Sequence, residues 1–144
     1  MEYIYYQEIP KTDVLNGIME LHKHVFEGAE LKLEELTEKK NLLIFVAIDS
    51  DRVVGFKIGY EFNDYTFYSW LGGVHSDYRG KGVASELMRR QHEKIKSLGY
   101  PKVRTISRNK RRAMLILNIK FGFDVVETFI SKKGTHKIVL EKEF

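Results

Sequence analysis

One stretch of the chain joins an apolar run, a glycine-rich turn and the start of a helix, and it restricts the fold more than any other. Residues 67–74 form the apolar run, residues 79–82 read Arg-Gly-Lys-Gly, and apolar side chains recur at helical spacing over residues 83–98. A strand that passes through such a turn into a helix directs unpaired backbone N–H groups and the positive end of the helix dipole at one point. The sequence therefore predicts an anion site that suits a diphosphate.

The same turn has a simpler interpretation, as a plain connection between a strand and a helix. Glycines allow positive φ angles and close approach to a ligand, but they are also common in loops. The spacing matches neither G-x-x-x-x-G-K-[ST] nor G-x-G-x-x-G, which disfavours mononucleotide P-loop and Rossmann sites. The local residues leave phosphate binding and a plain turn both open.

Two motifs resemble the coenzyme-A-binding core of the GNAT-type N-acetyltransferases. The family has R/Q-x-x-G-x-G/A after a strand, and residues 79–84 read Arg-Gly-Lys-Gly-Val-Ala. Downstream, the family ends a helix in a Gly-Phe pair that opens a strand, and Gly122-Phe123 fits that description. The specific resemblance covers residues 65–126. It implies acetyl-CoA as co-substrate and direct transfer of its acetyl group to a primary amine.

The fold expected from the pattern along the chain agrees with this resemblance. Periodicity, turns and caps predict the order β-α-α-β-β-β-α-β-α-β-β, with Thr12 or Asp13 capping the first helix and Asn109 the last. We expect one GNAT-like domain over residues 1–144, of α/β (α+β) class. Its mixed, mostly antiparallel sheet has about seven strands and is flanked by about four helices.

Composition restricts the compartment and the chemistry. The chain has 144 residues, of which 43% are hydrophobic, enough for one core. No apolar run approaches the roughly 20 residues that a membrane span needs, and no secretory signal is expected. Cysteine is absent, which excludes disulfides and thiolate catalysis and fits a cytoplasmic enzyme. Zinc-ligand spacing is absent too, so no metal is expected.

The basic residues permit three interpretations. The net charge is +4, and a basic cluster falls within residues 104–112: Arg104, Arg108, Lys110, Arg111 and Arg112. The cluster could be a solvated helix start, or a rim that attracts the polyanionic coenzyme and touches its 3′-phosphate. A small nucleic-acid binder is the third possibility, and the sequence disfavours it because no recognised nucleic-acid motif is present.

The resemblance assigns the cofactor site residue by residue. Val74 ends the strand along which the family's pantetheine arm pairs, and Gly72-Gly73 would permit a bulge or splay there, or simply close packing of Trp70 or a helix. The turn would hold the diphosphate. The expected cofactor-binding residues are Val74, Arg79, Gly80, Lys81, Gly82, Val83, Ala84, Ser85 and Asn118.

Two catalytic positions depart from the family pattern. Many members have a general-acid Tyr where this chain has Asn118, and an amide can orient a thioester but cannot deliver a proton. An ordinary helix-surface residue is the alternative there. The strand over residues 66–74 lacks the Glu base of some members. His75 is the expected base because its ordinary pKa is roughly 6.5, although it could be an exposed loop residue. Three side chains and a water chain are the other candidates: Glu61, Tyr68 and Asp77.

The sequence therefore predicts an N-acetyltransferase whose acceptor is a small-molecule, peptide or protein amine. Membranes are not expected partners, and a homodimer is left open. A catalytically weak acyl-CoA-binding or regulatory module is the alternative, because the usual Tyr and Glu are missing. The catalytic candidates are His75 and Asn118.

Overall fold

The computed structural model describes residues 1–144, and its elements follow the predicted order. The strands are Glu2–Tyr6 (β1), Leu43–Asp49 (β2), Arg52–Glu61 (β3), Thr66–Val74 (β4), Lys102–Arg108 (β5), Asp124–Ile130 (β6) and His136–Glu143 (β7). The helices are Thr12–Val25 (α1), Leu33–Thr37 (α2), Val83–Ser97 (α3) and Arg112–Lys120 (α4), with a 3₁₀ turn at Ser76–Tyr78. None of the helices is long and apolar enough to cross a membrane.

The strands form a single mixed sheet in the order β1-β2-β3-β4-β5-β7-β6. Only β4 and β5 run parallel, and every other neighbouring pair is antiparallel. A parallel pair needs a crossover, and α3 supplies it. The predicted fold class, a mixed and mostly antiparallel seven-stranded sheet with four helices, is confirmed.

Alternation along β2 divides the core between the two faces of the sheet. Leu43, Phe45 and Ala47 pack in the cluster that contains α3, whereas Ile44 and Val46 pack in the cluster that contains α1. Because β2 is buried on both faces, its sequence reads as a continuous apolar run instead of alternating with polar residues. The glycine-rich turn leads directly into α3, so it lies on the face of the sheet that α3 covers.

The predicted helix caps are wrong. Lys11 is the N-cap of α1, so Thr12 and Asp13 lie inside its first turn. Arg111 is the N-cap of α4, because β5 stays paired with β7 up to the residue before Asn109, which leaves Asn109 in the turn. Neither N-cap makes a side-chain hydrogen bond. A cap contributes only about 1 kcal/mol, and the strand pairing that precedes α4 outweighs it.

The parallel pair β4–β5 opens part-way along its length. Pairing runs as far as Ser69 opposite Thr105 and then stops. On the other edge of β4, the register with β3 shifts so that Trp70 has no partner, which is a β-bulge. A bulge bends its strand and increases the local twist, so the two strands diverge into a V. The bulge lies at Trp70, just before Gly72-Gly73 where the sequence suggested it.

Gly73 serves a different purpose, which the sequence had left as the alternative. A Cβ atom at this position would lie 2.8 Å from Val25 Cγ1 at the end of α1. That distance is too short for carbon atoms in van der Waals contact. Gly73 therefore allows the C-terminal end of α1 to pack directly on β4.

Candidate active site

A cleft of about 800 Å³ occupies the V between β4 and β5 and reaches the first turn of α3. This volume lies within the range of ordinary small-molecule sites. The structure brings most of the predicted cofactor-binding residues to it: Val74, Arg79, Gly80, Gly82, Val83, Ala84, Ser85 and Asn118. Lys81 and His75 do not line it.

The glycine-rich turn has the backbone geometry that an anion site requires. Gly80 and Gly82 have φ angles of 75° and 81°, and Gly82 is the left-handed N-cap of α3. No atom lies within 4 Å of the Cβ position of either glycine, so the space in front of them is open. The first helical hydrogen bond is donated by Glu86 N–H to the Gly82 carbonyl, at 3.0 Å. The N–H groups of residues 83–85 therefore have no helical acceptor and are available to a ligand.

The side chain of Lys81 lies over Tyr78 and does not line the cleft. Its Nζ lies 5.3 Å from the centre of the Tyr78 ring, in a cation–π contact. The positive charge expected from Lys81 is supplied at the cleft by other residues.

Arginine side chains give the mouth of the cleft a strong positive charge. Burial is the main reason that the pKa of Arg111 is lowered, and the nearby Arg108 and Arg79 lower it further while Glu27 opposes them. The Arg111 guanidinium also lies 4.6 Å from the centre of the Phe26 ring, which lines the cleft too. Such mutual repulsion, without enough carboxylates to relieve it, favours a bound anion.

The basic cluster of residues 104–112 is divided by the fold. Arg104 Nη1 donates to Glu141 Oε2 at 3.1 Å and is neutralised there. The other members of the cluster line the cleft: Arg108, Lys110, Arg111 and Arg112. Their position favours the interpretation as a rim around a polyanionic ligand over that of a solvated helix start.

The Gly-Phe pair holds Asn118 at the cleft. Gly122 has a φ angle of 94°, and the N–H of Phe123 donates to the Asn118 carbonyl at 3.0 Å, which ends α4. Phe123 itself packs in the core beside α3. Asn118 is 3% exposed, so the alternative of a helix-surface residue is wrong. An amide side chain at this wall can donate to or accept from a ligand.

His75 lies in a different environment, outside the cleft. Arg52 Nη2 lies 2.8 Å from its Nε2, and the backbone N–H of Asp77 lies 3.1 Å from its Nδ1. The ring stacks on His24, with ring centres 4.7 Å apart. A neutral imidazole has one lone pair, and both of these neighbours are donors, so the lone pair that a base would use is already taken by one of them. This geometry argues against the predicted role.

The other predicted bases also lie outside the cleft. Glu61 accepts hydrogen bonds from Lys40 at 2.8 Å and Tyr100 at 2.7 Å, and these bonds lower its pKa. Burial raises the pKa of Tyr68 to about 12. Asp77 lies beside His75 and is exposed. A water molecule is the alternative that geometry leaves available.

Lys57 is a charged residue of the cleft that sequence reasoning missed. It lies in the middle of β3, is 7% exposed and lines the cleft. Burial alone lowers its pKa to about 8. The available signal was a lysine within the otherwise apolar and glycine-containing run of residues 53–59, where a charge is costly.

Comparison with known proteins agrees with this geometry. Residues 40–125 match the family model described as the acetyltransferase (GNAT) domain. An acetyltransferase of Yersinia pestis is 25% identical over 115 residues, which cover 80% of this chain and 79% of that one. The structure is similar to the ribosomal-protein-S18-alanine N-acetyltransferase from Escherichia coli, with a TM-score of 0.80, 13% identity and coverage of 99% and 94% of the two chains. It is also similar to a GNAT family acetyltransferase from Elizabethkingia anophelis with acetyl-CoA bound. That comparison has a TM-score of 0.76 and 17% identity, and it covers 99% of this chain and 98% of the other.

Proposed function

This chain belongs to the GNAT acetyltransferase family, and from that premise we propose that it transfers an acetyl group from acetyl-CoA to a primary amine by direct attack on the thioester. The proposal treats residues 1–144 as one catalytic domain. The observation that carries it is the cleft between β4 and β5, where the glycine-rich turn, the arginine cluster and Asn118 meet. Its volume and charge suit a ligand that is anionic at one end and neutral at the other.

The diphosphate belongs at the glycine-rich turn. Free N–H groups at the start of α3 and the helix dipole both favour anions, the dipole by about 0.3–1 kcal/mol at an exposed site. Arg79 follows the 3₁₀ turn and lines the cleft beside these groups. Arg108 and Arg111 stand across the mouth, where they would meet the 3′-phosphate. These contacts would orient the coenzyme with its thioester toward the closed end of the V.

The pantetheine arm belongs along β4. Beyond Ser69, the edge of β4 that faces β5 has no strand partner, so its backbone groups are available to an extended ligand. Asn118 lines the opposite wall and would position the thioester end through its amide. Its role is orientation, which contributes to the rate by holding the reacting atoms in an attack geometry.

The acceptor is a small-molecule, peptide or protein amine, and it must be neutral when it attacks. An amine with a pKa near roughly 10 has under about one part in a thousand in the neutral form at pH 7. Water is the proton acceptor that best fits the geometry, because the donors beside the His75 ring take up its lone pair. The lack of cysteine is compatible with a cytoplasmic enzyme.

Calorimetry with acetyl-CoA, followed by release of free CoA thiol over a panel of amines, tests the proposal. Binding together with amine-dependent thiol release is the expected result. Binding without release from any amine would instead favour the acyl-CoA-binding module. Failure to bind acetyl-CoA, combined with salt-sensitive binding of nucleic acid, would overturn the proposal in favour of a basic nucleic-acid binder.

A further inference from the structure

Lys57 reaches the cleft because glycines surround it. On β3, Gly55, Lys57 and Gly59 pair with Ala47, Phe45 and Leu43 of β2, and these belong to the core face beneath α3. Cβ atoms at Gly55 and Gly59 would lie 2.9 Å from Val83 and 3.2 Å from Gln91, both of which belong to α3. The two glycines thus bring α3 close to the sheet on either side of Lys57. The lysine side chain therefore extends sideways toward β4.

The amine of Lys57 ends over Gly72, the residue opposite it on β4. The Nζ atom lies 3.7 Å from the position that a Cβ of Gly72 would occupy. Gly72 lies between Ser69, where the V closes, and Val74, next to the glycine-rich turn. With the diphosphate at the turn, the part of acetyl-CoA that passes Gly72 is the pantetheine and thioester end. This placement rests on the function proposed above.

No carboxylate pairs with Lys57. The ion pairs of the structure involve other residues, and burial is the only cause of its pKa shift. A buried ammonium without a partner is costly, so a fold keeps one where a ligand provides the partner. The ligand group expected there is one that accepts a proton or develops negative charge.

We propose that Lys57 is the general acid for the leaving group, protonating the sulfur of coenzyme A as the thioester carbon–sulfur bond breaks. The lone pair of the acceptor amine forms the carbon–nitrogen bond, and the electrons of the carbon–sulfur bond go to sulfur. The ammonium of Lys57 gives its proton to that sulfur, which produces the CoA thiol and a neutral lysine. The acylated nitrogen loses its proton to water, and Lys57 regains one from water.

The acidity of Lys57 suits this step. Its pKa of about 8 lies close to the roughly 8.5 of an ordinary thiol, and proton transfer is most efficient between groups of similar pKa. Two titratable groups lie on the elements packed around it, His92 of α3 and Lys142 of β7. Burial and the nearby Lys142 and Lys57 lower the pKa of His92 to about 3, so His92 stays neutral. Lys57 is therefore the proton donor on this face that reaches the cleft.

Titration of the thiol of bound CoA tests the inference without any acceptor amine. The thiolate absorbs in the ultraviolet, and the complex with desulfo-CoA provides the reference for tyrosine absorbance. We expect the thiol pKa in the wild-type complex to lie below that of free CoA, because the ammonium stabilises the thiolate. In Lys57→Met the thiol would be buried without a cation, and its pKa should rise above that of free CoA.

Lys142→Met is the matched control. Burial also lowers the pKa of Lys142, whose Nζ lies 3.2 Å from His92 Nδ1, but Lys142 does not line the cleft. This variant should keep the wild-type thiol pKa. With an active amine, Lys57→Met should reduce kcat by about 10²-fold, the lower end for a general acid, while KM for acetyl-CoA changes less than about threefold. Lys57→Gln replaces Lys57→Met if the latter does not fold.

The outcomes separate this inference from the proposed function. If calorimetry detects no binding of CoA, the proposed function fails and the inference fails with it. If CoA binds but the wild-type thiol pKa equals or exceeds the free value, only the role of Lys57 is overturned. Equal thiol pKa values in the wild type and Lys57→Met would overturn it as well.

Discussion

Substitution of Gly82 by aspartate tests the diphosphate site directly. Gly82 is the left-handed N-cap of α3, with a φ angle of 81° and no atom within 4 Å of its Cβ position. A new side chain would therefore meet no protein atom and would project into the open space in front of the turn. Gly82→Asn has the same shape without the charge, so the difference between the two variants measures the charge alone.

The expected size follows from the geometry. A carboxylate about 4 Å from a phosphate, at the effective dielectric constant of 20 near a protein surface, is repelled by about 4 kcal/mol. Screening by salt reduces this value. We therefore expect Gly82→Asp to bind CoA between about 10-fold and 1,000-fold more weakly than Gly82→Asn. The left-handed backbone costs both variants about 1–2 kcal/mol of stability.

Calorimetry with CoA, combined with thermal unfolding, separates binding from folding. Gly99→Asp is the control, because Gly99 follows the other end of α3 with a φ angle of 95° and open space at its Cβ position. It carries a comparable backbone strain far from the glycine-rich turn, and its affinity for CoA should be that of the wild type. Equal affinities in Gly82→Asp and Gly82→Asn would refute the diphosphate site. If Gly82→Asp and Gly99→Asp lose the same amount of affinity for CoA, the effect arises from folding and not from the diphosphate site.

Three further changes test the rest of the site. Asn118→Ala should raise KM or lower kcat by up to about tenfold without removing a limb of the pH–rate profile, because an amide does not titrate near neutrality. His75→Gln should leave kcat within about threefold of the wild type across pH. A fall in kcat of two orders of magnitude or more, together with loss of the acidic limb of the pH–rate profile, would instead identify His75 as the base. Lowering the pH from roughly 6.5 toward 3 should destabilise the fold by up to about 1.4 kcal/mol per unit, because the unfolded chain protonates His92 and the folded chain does not. In His92→Phe, the free energy of urea unfolding should fall less steeply as the pH is lowered than it does in the wild type. An unchanged dependence on pH would assign the effect to other groups.

The element order and the position of the glycine-rich turn could be predicted because they depend on local sequence. Strand β4 was expected over residues 66–74 and is observed there, since an apolar run bounded by turn residues is a local signal. The glycine-rich turn needs positive φ angles, and the residue type reports that requirement directly. The separation of β4 from β5 could not be predicted at its true position. It depends on the bulge at Trp70, which arises from pairing with β3.

The side chains of the site were harder to predict because their direction depends on contacts distant in sequence. His75 follows β4 immediately, yet its ring is held by Arg52 from the other end of β3. Lys81 belongs to the turn but points to Tyr78. The role proposed for Lys57 depends on Gly72, which lies on a neighbouring strand. Sequence spacing alone contains none of these contacts.

The polar groups beneath α3 fit a protein whose interior was shaped by a ligand more than by stability. Lys57 has no partner, and the Nε2 atoms of Gln91 and His92 are buried without hydrogen bonds. An unsatisfied buried polar group costs about 1–3 kcal/mol, so apolar residues at these positions would stabilise the free protein. Gln91 and His92 lie on the buried face of the helix whose first turn borders the cleft, Lys57 lies on the sheet that this face covers, and the pKa of His92 responds to Lys57. Acetyl-CoA would bring the carbonyl, amide and sulfur atoms that Lys57 lacks, and the cost in the free protein would then be offset by binding at the step where negative charge develops.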